Sequence, residues 1–191
     1  MRLIKPRIAP IAPGEEDAAQ AAVLAPFVAR KADYNIFRTM ARHPGALDRF
    51  LKWGNYILSQ HNSLPARTRE LAILRVGYNC GSGYEWAQHV VIGQQTGLTV
   101  AEIARIKLGA DAPGWDAADA AVLAACDDLT TDFFVSDAHW TALTEHFTTE
   151  QCMDIVYTVG QYTQVSMLLN SFGVQLDAGL ALDADLDRRG A

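Results

Sequence analysis

Apolar residues along this chain recur at helical spacing. No stretch alternates apolar and polar residues with period two between hairpin turns. The pattern therefore predicts an all-α fold. Pro6, Pro10 and Pro13 keep residues 1–14 out of a helix and favour an extended N-terminal arm. Acidic residues open an alanine-rich helix over Glu15–Ala29, as a helix N-terminus prefers. A short apolar segment, Ile36–Ala41, is halted near His43-Pro44, because the residue before proline avoids the α region. Leu47, Phe50, Leu51, Tyr56 and Leu58 then form the buried stripe of a helix over Leu47–Leu58.

Pro65 opens the next helix, where its missing N–H does no harm. Leu71, Leu74 and Tyr78 make a row at i, i+3, i+7, and Glu70 borders that row, which predicts a partly buried carboxylate. Gly81-Ser82-Gly83 breaks the pattern before a helix over Tyr84–Gln95, with Gly97 suited to its C-terminal cap. Thr99–Glu102 and Thr148–Gln151 match capping boxes, the second opening a long apolar helix over Glu150–Phe172. Between them lie a loop at Asp111–Trp115, a helix over Ala117–Leu129, and a helix capped by Ser136 that spans Trp140–Phe147. The expected organisation is an arm at 1–14, a single helical domain at 15–182 and a polar, frayed tail at 183–191.

Composition narrows the class. A chain of 191 residues, half of them hydrophobic and a fifth charged, suffices for one globular domain with a real core. A formal charge of -6 argues against a nucleic-acid surface but leaves room for an anionic small molecule, for which one or two local arginines suffice. Cys80, Cys126 and Cys152 are scattered and form no CxxC, so a disulfide framework is not expected and a reducing cytoplasm is the simplest home. The N-terminus lacks the apolar core of a signal peptide, and the longest apolar runs are too short to span a bilayer.

The candidate chemistry sits in two successive helices. Glu85 and His89 are four residues apart, about one helical turn, and share a face. A carboxylate beside an imidazole can pass a proton near neutral pH. Glu70, one helix earlier, supplies a second carboxylate. An arginine among Arg42, Arg67, Arg69 and Arg75 can hold a substrate carboxylate. Plainer roles stand beside these. Glu85 and His89 also fit an ordinary surface pair worth a few tenths of a kcal/mol. Ser82 fits a helix cap, Cys80 a small buried residue, and Trp86 the core. Tyr162, Gln164 and Asn170 either line a pocket or satisfy hydrogen bonds in the core. HExxH is absent and the Glu–His spacing is i, i+4, so no metal is expected.

Residues 64–108 carry Arg67-x-Arg69-Glu70-Leu71, Tyr84-Glu85-Trp86-x-x-His89 and Gly97-Leu98-Thr99-x-x-Glu102-Ile103. These motifs resemble the carboxymuconolactone decarboxylase family, which includes the alkylhydroperoxidase AhpD. Residues 157–174 are similar to the second helix of its longer members. The resemblance implies an AhpD-like helical bundle that assembles as a homo-oligomer, a trimer or hexamer, or a dimer. Alignment on His89 puts the two thiols of the peroxidase branch at Ser82 and Glu85, and its upstream glutamate at Glu70. Both thiols are thus missing, and a thiol peroxidase needs a thiolate and a resolving thiol. The lactone decarboxylase branch carries a glutamate and a histidine where Glu85 and His89 stand. What it implies is a cofactor-free lyase of decarboxylase type, acting on a small carboxylated or lactone-like substrate. His89, Glu85 and Glu70 would be catalytic. Ser82, Tyr84, Trp86, Cys80, Arg75 and Tyr162 would bind the substrate. The alternatives are an AhpD-like peroxidase that has adopted other residues, and a non-catalytic helical oligomer that binds a ligand.

Overall fold

The computed structural model describes residues 1–189, and among them the chain is all-α. Nine α-helices follow in order: α1 (Ala18–Ala29), α2 (Asn35–Met40), α3 (Pro44–Leu58), α4 (Ala66–Asn79), α5 (Gly83–Gln95), α6 (Val100–Ile106), α7 (Ala117–Thr131), α8 (Asp137–His146) and α9 (Thr149–Phe172). Both predicted capping boxes form, at Thr99 with Glu102 and at Thr148 with Gln151. A third, Asp17 with Gln20, starts α1 three residues later than the acidic run suggested. Pro44 begins α3 rather than merely ending the segment before it.

Helix α4 is the centre of the molecule. It packs against α5, α7 and α9, and its buried residues run without a gap from Glu70 to Leu74, then Val76 and Gly77. A helix apolar on nearly every side belongs inside a domain. Glu70 is carried into that interior at 1% exposure, deeper than a residue bordering the stripe was expected to go. Gly93 lets α5 close onto α4: a Cβ there would crowd Leu74 and Leu98 at 3.1–3.2 Å, whereas one on Gly77 would meet the Glu85 side chain at an ordinary 3.6 Å. That close approach sets the distance between Glu70 and His89.

The segment before α3 is not loosely attached. Residues 7 and 8 donate backbone hydrogen bonds to the carbonyl of Phe172, and Ile11 is buried. Arg38, itself buried, donates to the carbonyl of Ile11 (3.0 Å), to Glu16 (2.7 Å) and to Asp33 (2.8 Å). One guanidinium thereby ties the arm, the approach to α1, and α2 into a unit. The tail departs from expectation. Leu186 is buried in the main core, the backbone of Arg188 bonds to Met1, and Lys107 holds Asp183 and Asp185. A single apolar residue within the polar run anchors it. Among the described residues, no helix is long and apolar enough to cross a membrane.

Arg75, expected to bind substrate, is used for the fold. Its Nε and one Nη pair with both oxygens of Asp127 (2.6 and 2.9 Å) on α7, and its other Nη caps the carbonyls of Ile106 and Lys107 at the end of α6. A cation at a helix C-terminus also meets the negative end of the dipole. Arg75→Met is expected to lower unfolding free energy by about 1–3 kcal/mol, because it leaves carbonyls and a half-buried carboxylate unpaired. Urea denaturation measures the loss, and an unchanged midpoint would contradict this role.

Candidate active site

Glu70, His89 and Glu85 meet as a buried trio at the crossing of α4 and α5. His89 Nδ1 lies 2.6 Å from Glu70 Oε2, and His89 Nε2 lies 2.8 Å from Glu85 Oε1. Exposures of 6% for His89, 1% for Glu70 and 3% for Glu85 remove all three from bulk water. Glu85 sits in the first turn of α5, where the helix dipole favours a carboxylate. The histidine is thus clamped at both ring nitrogens, and neither nitrogen offers a free lone pair to a metal ion.

Burial alone would lower the affinity of His89 for its proton. The charges of Glu70 and Glu85, and the hydrogen bonds to them, overcome that and hold its pKa up at about 10. The ring is therefore an imidazolium at neutral pH, donating to a carboxylate at each end. Two glutamates and one imidazolium leave the trio with a net charge of -1.

Glu85 and His89 line a cavity of about 190 Å³, and Glu70 stands behind the ring outside it. The two acids are thereby distinguished: Glu85 faces the space a ligand would fill, and Glu70 fixes the ring from behind. Tyr162 of α9 packs edge-on to His89, with ring centroids 5.0 Å apart. Burial, then the Glu85 and Glu70 charges, hold its phenol well above the ordinary tyrosine range, so it keeps its proton. Gln161, one residue earlier, also faces the cavity. The rest of the wall is largely apolar, with Phe27 from α1, Ile36 and Phe37 from α2, and Phe50 from α3.

Other expected site residues fall elsewhere. Tyr84 lines the cavity, but its hydroxyl is held by Asp177, which also takes Gln88. Trp86 points away into the main core, beside Tyr78 and under Lys107. Ser82 occupies the cap position of α5, yet its hydroxyl is buried with no partner in the protein and caps nothing. Cys80 ends α4 and faces a separate surface depression near Thr163 and Met167. Burial raises its thiol pKa, the opposite of what a reactive thiolate needs. Of the four candidate arginines, Arg75 is spent as above, Arg67 pairs with Asp119 and Glu102, Arg42 bonds to the Ala9 carbonyl, and Arg69 to the Ser59 carbonyl at 3.4 Å. None of the four lines the cavity. Of the polar residues on α9, Asn170 satisfies the Cys80 carbonyl, and Gln164 is exposed on the far side. Gln161, Phe27 and Phe37 carry no motif. Only the helical phase of Gln161 relative to Tyr162 and Val165 hints at its position.

The sequence model of the Carboxymuconolactone decarboxylase family matches residues 44–127. That stretch runs from the start of α3 into α7 and contains the whole trio. The fold agrees with several solved structures. A peroxidase-related protein from Silicibacter sp. TM1040 superposes with a TM-score of 0.77 at 15% identity, over 93% of this chain and 95% of that one. A peroxidase-related protein from Ralstonia eutropha JMP134, with an alkylhydroperoxidase AhpD core, gives 0.74 at 18% identity, over 90% and 93%. The debrominase Bmp8 gives 0.73 at 14% identity, over 90% and 92%. No curated protein matches the sequence. The trio therefore lies within the stretch that resembles the Carboxymuconolactone decarboxylase family, on a helical fold shared with these structures.

A histidine whose pKa is raised on folding adds stability that is complete below its unfolded value near 6.5 and is lost as pH rises through about 10. Wild-type stability should therefore fall across that window, with a slope from this one group approaching about 1.4 kcal/mol per pH unit. The double variant Glu70→Gln, Glu85→Gln leaves a neutral ring between amides and should show a shallower fall. Equal slopes in urea titrations would contradict the clamp.

Proposed function

We propose that this protein is an enzyme that moves a proton on a small lactone-like molecule, with Glu85 as the base. The observation that carries the reading is the position of Glu85: its buried carboxylate faces a mostly apolar cavity while an imidazolium holds it from behind. Water-poor surroundings strengthen both its charge and the hydrogen bonds around it. Glu85 takes a proton from a carbon or oxygen acid at the cavity end of the ligand. His89, already protonated, stabilises the ionised Glu85 before that step and lets the same proton return to a different atom afterwards. Glu70 positions the ring and keeps the trio's total charge from becoming positive. Tyr162 offers a neutral phenol hydrogen to an oxygen on which charge develops. Removal of a proton at one position and its return at another describes an isomerisation.

A thiol-based peroxidase finds less support. None of the three cysteines lines the cavity, and Cys126 and Cys152 are buried in the core.

On a panel of small lactones in heavy water, wild type should exchange acidic C–H hydrogens. Glu85→Gln should slow turnover by about 10²–10⁴-fold, the usual contribution of a general base. His89→Ala should abolish turnover, and Cys80→Ser should leave it unchanged. Full activity in His89→Ala removes the mechanism. Peroxide consumption that disappears in Cys80→Ser would favour the peroxidase reading instead.

A further inference from the structure

We infer that the cavity selects electrically neutral molecules of single-ring size, bound with one polar group toward Glu85 and Tyr162 and the ring against the helices that precede residue 44. The inference rests on the reading above only in taking this cavity as the working site.

Charge is the first argument. Two glutamates and one imidazolium place a net negative charge beside the cavity, and no lysine or arginine lines it. The nearest cation with any effect on the wall is Arg69, which weighs on the Tyr162 phenol but donates to a backbone carbonyl outside the cavity. A ligand carboxylate would bring a second uncompensated negative charge within a few ångströms of the first, in a medium that screens poorly. Even with the effective dielectric of a protein surface, that repulsion weakens binding by more than about tenfold.

Size is the second argument. An apolar cavity of about 150 Å³ holds a benzene ring. The cavity here, at about 190 Å³, has room for one ring with a small substituent.

The third is the origin of the walls. Glu85, His89, Gln161 and Tyr162 come from α5 and α9 and Asn55 from α3, while the apolar Phe27, Ile36 and Phe37 come from α1 and α2. Phe27 and Phe37 stack on each other with centroids 4.0 Å apart. The Arg38 ties to Ile11, Glu16 and Asp33 fix the segment that carries them. This wall is therefore built before a ligand arrives, and aromatic rings prefer such a surface. It lies outside the family-matched residues 44–127, so the selectivity it confers belongs to this chain's own N-terminal segment.

The test uses benzamide, acetophenone and benzoate, which are nearly the same size and differ in charge. Binding is measured by calorimetry above neutral pH, without any need for turnover. A failure of the acid–base reading in the lactone assay is therefore distinguishable from a failure here. The neutral pair should bind wild type at least about tenfold more tightly than benzoate. Glu85→Gln removes the net charge and should close most of that gap. Glu70→Gln makes the same charge change should the first variant fail to fold. Ile92→Trp fills the cavity and should abolish binding, and Phe37→Ala should weaken the neutral pair severalfold while leaving their advantage over benzoate. Benzoate binding as tightly as benzamide to wild type would overturn the inference. So would binding that survives Ile92→Trp, or the absence of binding by either neutral ring.

Discussion

The arrangement depends on a single buried imidazolium held between two carboxylates. Taking three ionisable groups out of water is costly, and only short hydrogen bonds at both ring nitrogens offset that cost. Geometry of this kind cannot be improvised by flexible side chains at a surface. It needs two helices in close contact, which Gly93 permits, and a central helix whose other neighbours shut out solvent. The trio leaves one carboxylate facing a cavity and one facing protein. In the proposed acid–base reading, that asymmetry gives Glu85 the proton transfer and Glu70 the positioning of the ring.

Much of this architecture was legible in the sequence, for physical reasons that can be named. Capping boxes at Thr99 and Thr148 are local hydrogen-bonding rules, and they hold wherever a helix begins. The pairing of Glu85 with His89 follows from one helical turn. Bringing Glu70 to the same ring required the family motifs, because no periodicity within one helix says which face of the next it will meet. The failures share a cause. Arg75, Cys80, Trp86 and Ser82 are close in sequence to the trio, yet they leave α4 and α5 on other faces. Arg75 turns to Asp127, and Trp86 turns into the core. The cavity wall from Phe27 and Phe37 was invisible, since apolar residues on a short helix look alike whether they meet a core or a ligand. The tail misled because one leucine, Leu186, outweighed a run of aspartates.

The likeness to solved structures at identities between 14% and 18% establishes the fold and nothing finer. Related helical frames can hold different chemistries, since chemistry belongs to the few groups that line the site. Here those groups include one acid, an imidazolium, amides and a phenol, enclosed in part by Phe27, Ile36 and Phe37 from outside the family-matched region. Thiol chemistry would need a sulfur at the cavity, and the three cysteines lie elsewhere.

The central claim is the charge state of one ring. Nitrogen-15 NMR of selectively labelled histidine, with Glu70→Gln used to assign the His89 signal, reads it directly. The account predicts that both ring nitrogens carry hydrogen through neutral pH and lose the shared proton only near pH 10. A neutral tautomer at pH 7, titrating near the ordinary value of 6.5, would contradict it.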